Sequence, residues 1–495
     1  MKKILVFLLL GTFWLGTSLT RASELYSGND EISLRIRSID SHLAGIVSDT
    51  ITDMLWNPAR MPSKSFISFQ VPNRIITLLP GPMKTRWGIL LEGSYQESES
   101  EHRETGPSHY RYYYTDYLSS ISSSYSRKTY KGALLGSKQA TPNTCIGLRL
   151  DYQLKPYKNS GDRLYRSTYY YESNYDSHHQ LEIRDAVREY NSADTTSFYS
   201  LSVGTHSSIW KSNLEIVLKY GKQKEASHFL DNWRDIRYAK YIRTYDSTTY
   251  IDIYNNESEE LSDEYNFLNP KIWSLGFRLS RDITPASTFR TIALFYTGWG
   301  DAHRKRGNLG YNYRDRYHSY SDPDTFYAYI DTIESYHEDE ATLDGDANIL
   351  GGFLAIGLEF NVSPQFTGGT GIRISYKRNE VKLEGAKKEV NDTLTSHSIV
   401  EEKEIKRIAY VYLPLGIEYR PIPEFAIRGG VNLYGFYHFS EENLNGRYNK
   451  SKNFSGPNYT LSFGVGYTWR RLKFDIHTMD IAAVKSWNIE VAYSL

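Results

Sequence analysis

Few residues in this chain have the types and spacing that chemistry requires. Asp475 and His477 stand two apart, so on a strand both side chains point to one side. With Ser462 or Thr468 nearby they have the composition of a hydrolase set. No fixed-spacing motif supports it, and catalysis demands matched geometry as well as residue types. The stretch His337-Glu338-Asp339-Glu340, with Asp344 and Asp346, offers oxygen ligands for calcium. It lacks the spaced ligand pattern of a calcium loop and reads as a solvated loop. There is no glycine-rich phosphate loop and no zinc spacing. No enzyme activity, metal or cofactor is expected. Cys145 is the one cysteine and reads as a buried small apolar residue.

The elements around these residues say more. The opening reads as an export signal: Lys2 and Lys3, an apolar core to Leu19, then Thr20-Arg21-Ala22. Residues 1–22 are the expected signal peptide, with Ser23 as the mature start. Without Lys2, Lys3 and Arg21 the chain carries 55 basic and 58 acidic residues, so nucleic acid is not an expected partner. After the signal no run of about 18 apolar residues occurs, which excludes helical spans. Tyrosine, at 43 of 495 residues, is abundant. Tyrosine and tryptophan suit the two interfacial girdles of a membrane barrel. A secreted β-sandwich or propeller also favours tyrosine.

The last nine residues carry the strongest pattern. Trp487, Ile489, Val491, Tyr493 and Leu495 are apolar, with Asn488, Glu490, Ala492 and Ser494 between them. This resembles the closing strand of a bacterial outer-membrane barrel, which the insertion machinery reads. The final Leu495 departs from the usual terminal aromatic. The same alternation recurs upstream, as in Trp87-Ile89-Leu91-Tyr95 and Val411-Leu413-Leu415-Ile417-Tyr419. Polar faces such as Arg373-Ser375-Lys377 suit a wet or plugged lumen.

Spacing separates barrel from sandwich. Short joins, such as 207–210 and Arg470-Arg471, take turns with long polar ones near 98–120, 156–195, 223–268, 300–350, 381–406 and 440–457. Short periplasmic turns and long outer loops do this. The count is fourteen strands, from 85–97 to 485–495, in an all-β, closed, antiparallel transmembrane barrel over 85–495. Only part of each repeat need lie in lipid, so a mean hydropathy of −0.54 is compatible with the assignment. The long loops are rich in tyrosine, as at Tyr169-Tyr170-Tyr171. They either pack on one another or hold a ligand or partner.

Residues 23–84 read differently. Ile32, Leu34 and Ile36 alternate briefly, and 43–55 suits a short helix. Then comes Ser48-Asp49-Thr50-Ile51-Thr52-Asp53-Met54-Leu55-Trp56-Asn57-Pro58-Ala59-Arg60-Met61, where Asn-Pro initiates a turn. This stretch resembles the start of the FadL-type long-chain fatty-acid transporter superfamily, which includes PorV-like proteins. There, a small-and-acidic segment leads into an aromatic-Asn-Pro-Ala-Gly motif. Arg60 stands where that glycine usually does. The resemblance implies that 23–84 forms a plug, or hatch, inside the barrel, with Trp56, Asn57, Pro58 and Ala59 gating substrate on it. Alternatively, that turn merely seals the barrel. It also implies an inward kink in the third strand, here 143–155, that opens the wall. Gly147 is the place for such a kink, or else a small lumen-facing residue that allows close packing.

The expected function is passive transfer of hydrophobic small molecules, long-chain fatty acids or similar, across a Gram-negative-type outer membrane. The alternatives are a binding or assembly protein of the same fold, PorV-like and secretion-associated, and a general diffusion porin. Outer-membrane lipid and the barrel-insertion machinery are the other expected partners, and the barrel is expected to be a monomer.

Overall fold

The computed structural model describes residues 33–71, 74–80, 84–110, 113–173, 178–210, 212–245, 248–322, 325–444, 447–478 and 487–494. The expected signal peptide and Leu495 lie outside them. The chain forms one closed antiparallel barrel of sixteen strands, each paired with its neighbours in sequence. The first strand, β1 (Phe66–Val71), closes the ring on the last, β16 (Asn488–Ser494), through pairs such as Phe69↔Val491. A closed ring leaves no unpaired backbone edge where it meets lipid.

The count of fourteen is therefore corrected to sixteen, still even. The two added strands, β1 and β2 (Arg74–Pro80), lie inside the segment assigned to the plug, so the barrel starts at Phe66. At six and seven residues they fall short of the roughly 9–11 that a full crossing takes. The brief alternation at 32–36 is no strand either: Leu34–Ile39 is helix α1, capped by the Ser33 side chain. The helix expected over 43–55 is instead a 3-10 turn at Ser41–Leu43 and helix α2 at Thr50–Trp56.

The long loops are a second correction, because most of that text is strand. From β3 (Thr85–Tyr110) and β4 (Tyr113–Thr141) to β14 (Arg447–Trp469), the hairpins run on as paired ribbons. The ribbon of β3 and β4 pairs to Tyr110↔Tyr113, and that of β9 (Ser287–Asp322) and β10 (Thr325–Ser363) to Asp322↔Thr325. Ribbons wetted on both faces carry no period of two, so they resemble loops in sequence. Their tyrosines pack on one another across the hairpins, as Tyr250 on Tyr320 at 5.1 Å and Tyr241 on Tyr254 at 5.7 Å.

Nearer the short turns, apolar residues face out. Trp87, Ile89, Leu91, Leu148, Leu150, Leu413 and Leu415 are each 45–59% exposed, which places them against lipid rather than in a core. Tyr95, Tyr152, Trp273 and Tyr459 mark one border of this band; Trp87, Tyr419 and Trp469 mark the other. The inward neighbours are polar and buried, among them Arg149, Glu215, Arg278, Glu418 and Arg428.

The wall is uneven. Four consecutive strands of the ring, β15 (Leu472–Thr478), β16, β1 and β2, have six or seven residues each. Their described pairs reach Phe463↔Thr478 on one side and Arg74↔Glu92 on the other, below Tyr459 and Tyr95. Among the described residues the wall here is low, short of the outer aromatic border.

Beyond the lipid band, ion pairs stiffen the ribbons of β6 (His178–Ile209) and β7 (Ser212–Tyr245). Burial pushes the Asp235 carboxyl up, but hydrogen bonds from Arg184 and Arg237 outweigh it and hold the group below the usual carboxylate range. A depressed carboxylate stabilises the fold above its unfolded-state value, and that stabilisation is lost as pH falls through the folded value. Protection factors of amides near Asp235, taken relative to intrinsic exchange at each pH, should therefore fall once the pH drops below the ordinary carboxylate range, while the lipid-band strands stay protected. Equal protection at neutral and acid pH would contradict this.

Candidate functional site: the segment inside the barrel

Residues 33–61 pack against the inner face of the wall, held by caps, glycines and buried ion pairs. Asp49 caps α2 by accepting from Thr52 N at 2.9 Å. At the other end Asn57 does two things. Its Oδ1 accepts from Ala59 N at 3.0 Å, capping the 3-10 turn Pro58–Arg60. Its Nδ2 donates to Thr205 O at 3.0 Å and to Glu215 Oε2 at 3.1 Å, both on the wall. An asparagine in this place thus ties the turn to the barrel, a role that alanine cannot fill.

Glycines let the segment's backbone come close. Gly147 and Gly204 are cross-strand partners. A Cβ on Gly147 would lie 2.2 Å from Ala59 N, and one on Gly204 would lie 2.0 Å from Asn57 Oδ1. The ring of Trp56 lies beside Gly276, 3.1 Å from where a Cβ would be. On the far side Gly416 and Gly430 take the backbone of Ile39, and Gly464 takes Ser38. The small residues thus form a belt shaped to the segment. At Gly147 the ladder runs unbroken on both sides, to Ser137 and to Gly204. The geometry gives Gly147 the close-packing role and shows no wall opening there.

Charge anchors the same segment. Arg278 donates to Asp53 Oδ1 at 2.6 Å and to Glu215 Oε2 at 2.7 Å, all three groups buried. Its guanidinium also lies over the Trp56 ring, 5.1 Å from the centroid. Arg60, standing where the family motif has glycine, reaches Asp53 at 3.1 Å. Arg35 pairs with Glu418 at 3.0 Å, and Glu418 pairs in turn with Arg428. Arg149 donates to Asp151 and to the Leu55 carbonyl. Low effective dielectric strengthens such pairs and makes an orphaned partner costly.

Apolar contact divides into three regions. Ile36, Ile39, Leu43, Ile46 and Val47 pack on Ile292, Leu294, Phe353 and Ala355 of β9 and β10. Met54, Leu55 and Met61 pack on Ile76, Leu78, Leu90, Ala133 and Leu135, the inner face of β2 to β4. A third cluster lies further out along the strands and holds no residue of 33–61. It joins Phe198, Leu268, Tyr296, Leu343, Leu383, Val400 and their neighbours from six strands. The wall thus carries a core of its own along one side of the lumen, outward of the segment.

At the top of the low wall lies a cavity of about 700 Å³, lined by Phe69, Arg74, Ile75, Leu91, Tyr130 and Tyr152 among others. It meets both faces of the wall, since Arg74 is buried inside while Leu91 and Tyr152 face out.

The other residues singled out from sequence do not assemble a site. Asp475 is held by Arg428 at 2.6 Å and by Lys473 at 2.7 Å; Thr468 is exposed, and Ser462 pairs with Gly430. His337, Asp339 and Glu389 approach one another, but Lys387 sits among them, 2.8 Å from Asp339 and 3.2 Å from Glu389. Asp344 is strung further along β10 beside His303. Cys145 is free and half-buried rather than fully buried. Of the closing strand, Ile489, Val491 and Tyr493 pair with β1. Reasoning from sequence missed Asp53, Glu215, Arg278, Glu418 and Arg428. A signal was there, since Glu215 and Arg278 each interrupt an apolar strand at its inward positions.

No family model matches the chain, and no curated protein does. Among solved structures, it is similar to a mutant form of the TodX monoaromatic hydrocarbon channel, with 11% identity, 94% of this chain and 98% of that one covered, and a TM-score of 0.35. It is similar to the toluene transporter TodX of Pseudomonas putida, with 11% identity, coverage of 93% and 96%, and a TM-score of 0.33. A ferric enterobactin receptor of Pseudomonas aeruginosa follows with 8% identity, coverage of 88% and 81%, and a TM-score of 0.22. The barrel rests on this chain's own strand pairing.

Proposed function

We propose that the protein is an outer-membrane barrel of a Gram-negative-type bacterium through which hydrophobic small molecules, long-chain fatty acids or similar, pass without a cofactor. Residues 33–61 serve as the plug, and Trp56-Asn57-Pro58-Ala59 is its gating turn. One observation carries the reading: the apolar inner face of β2 to β4 meets Met54, Leu55 and Met61 beneath the cavity at the low wall. A second apolar patch, Ile292, Leu294, Phe353 and Ala355, is covered by the segment itself, and much of the remaining inner face beside it is charged and paired. The cavity's inward lining is polar, Gln70, Arg74, Glu92 and Lys131, while Phe69, Ile75, Leu91 and Tyr152 line it from the lipid side. A molecule that avoids water would meet it from the lipid, so the side opening belongs at the low wall and not at Gly147. The segment itself is tied into the lumen by buried bonds and close glycine contacts, which disfavours a general diffusion porin.

Deleting residues 52–60 tests the plug. The deletion removes Asp53 and Asn57, and with them the bonds to Arg278 and Glu215. Uptake of a labelled long-chain fatty acid by a host lacking its own carrier should change several-fold, with small solutes leaking in. Unchanged uptake and no leak would count against the gating role.

A further inference from the structure

Among the described residues, the strands flanking β15, β16, β1 and β2 run on outward past them. Among the described residues, 93–110 of β3 pair only with β4, and 447–462 of β14 pair only with β13 (Phe425–Leu444). Each thus has a backbone edge that no described residue pairs, a template for another strand. Both stretches are wetted on both faces: 94–105 and 448–454 are exposed throughout.

The two edges carry opposite charge on the same face. Period two continues the outward face of β3 from Leu91 and Tyr95 to Glu97, Glu99 and Glu101. On β14 the register slips between Tyr434 and Phe436 of its partner, which puts Phe454, Lys452 and Lys450 on the face of Leu433 and Tyr437. That is again the outward face, with Phe454 74% exposed. The heights agree as well. Glu101 is six places outward from Tyr95. Lys452, opposite Phe439, is six places outward from Tyr459, opposite Leu433.

We propose that these edges join two copies of this chain about a two-fold axis along the membrane normal. That operation brings the acidic β3 edge of each copy to the basic β14 edge of the other, an isologous contact made twice. The senses fit: β3 runs outward and β14 runs back, so the new pair is antiparallel, like the rest of the wall. Like edges repel, which excludes β3 with β3 and β14 with β14. Closure within one chain fits less well, because four strands hold the edges five spacings, or about 24 Å, apart. The dimer would surround both low walls with one outer rim.

Disulfide trapping tests this in intact outer membranes, on a Cys145→Ser background. His102→Cys and Ser451→Cys sit at matched heights beside the charged positions and leave the charges in place. Copies bearing only one change each, expressed together, should form a linked dimer on a non-reducing gel. Trapping should fall several-fold with Lys450→Glu and Lys452→Glu, and return when Glu99→Lys and Glu101→Lys are added. It should also weaken with salt. A bond formed only within single chains carrying both cysteines would overturn the dimer in favour of self-closure. No bond in either arrangement, with the barrel folded by heat-modifiability, would overturn it too.

Discussion

Arg278→Ala should release the inner segment from the wall. The guanidinium is the shared partner of Asp53 on the segment and Glu215 on the barrel, and all three are buried. Removing it strands two carboxylates, of which Arg60 reaches Asp53 at 3.1 Å and Glu215 only at 3.8 Å. Breaking a buried pair in this way costs about 3–5 kcal/mol. The loss falls on the docking of residues 48–61, because the barrel's ladder does not depend on Arg278's side chain. Two readouts follow: protease access to the segment in the folded barrel, and an ion current in planar bilayers. Both should rise, and Glu215→Gln should move both less, since Asn57 and Arg278 can still donate to the amide oxygen. A variant as protected and as silent as the parent would contradict the anchoring role.

The second large effect is expected at the glycine belt. A Cβ on Gly430 would fall 1.4 Å from the Ile39 carbonyl oxygen, and one on Gly147 would fall 2.2 Å from the Pro58 carbonyl carbon. The atoms met are backbone, which has no rotamer to change. Overpacking usually costs about 1–3 kcal/mol, and contacts this close put Gly147→Val and Gly430→Val at the upper end or beyond. The barrel has no reason to open, because β-branched residues suit strands. The segment must move instead. Both variants should fold, lose heat stability and admit small solutes in a liposome swelling assay. Gly429→Val is the control, since its Cβ would meet nothing within 4 Å. Equal behaviour of Gly429→Val and Gly430→Val would contradict the belt.

How far the sequence was legible follows from where the physics leaves a period. The lipid band shows one, since each of those strands has an oily and a wet face, and each of the fourteen expected strands falls on an observed one. β1 and β2 escaped because six or seven residues beside Pro72 and Asn73 do not make a convincing alternation. The outer ribbons escaped because water wets both of their faces. Gly147 stood out in the sequence, but one sequence leaves open whether a strand glycine bends the wall or admits a neighbour; in the fold a Cβ there would meet the backbone of Pro58 and Ala59. The partners of Arg278 and Glu418 were out of reach because they are set by packing across 225 and 383 residues of chain.

We propose a plugged barrel that lets apolar molecules pass beside its plug and keeps small polar solutes out. The most direct test pairs two solutes on the same purified protein in liposomes: a labelled long-chain fatty acid and a small sugar. The fatty acid should equilibrate far faster than in protein-free vesicles, while the sugar stays out. Free passage of the sugar with no gain for the fatty acid would contradict the claim and make the protein a water-filled pore.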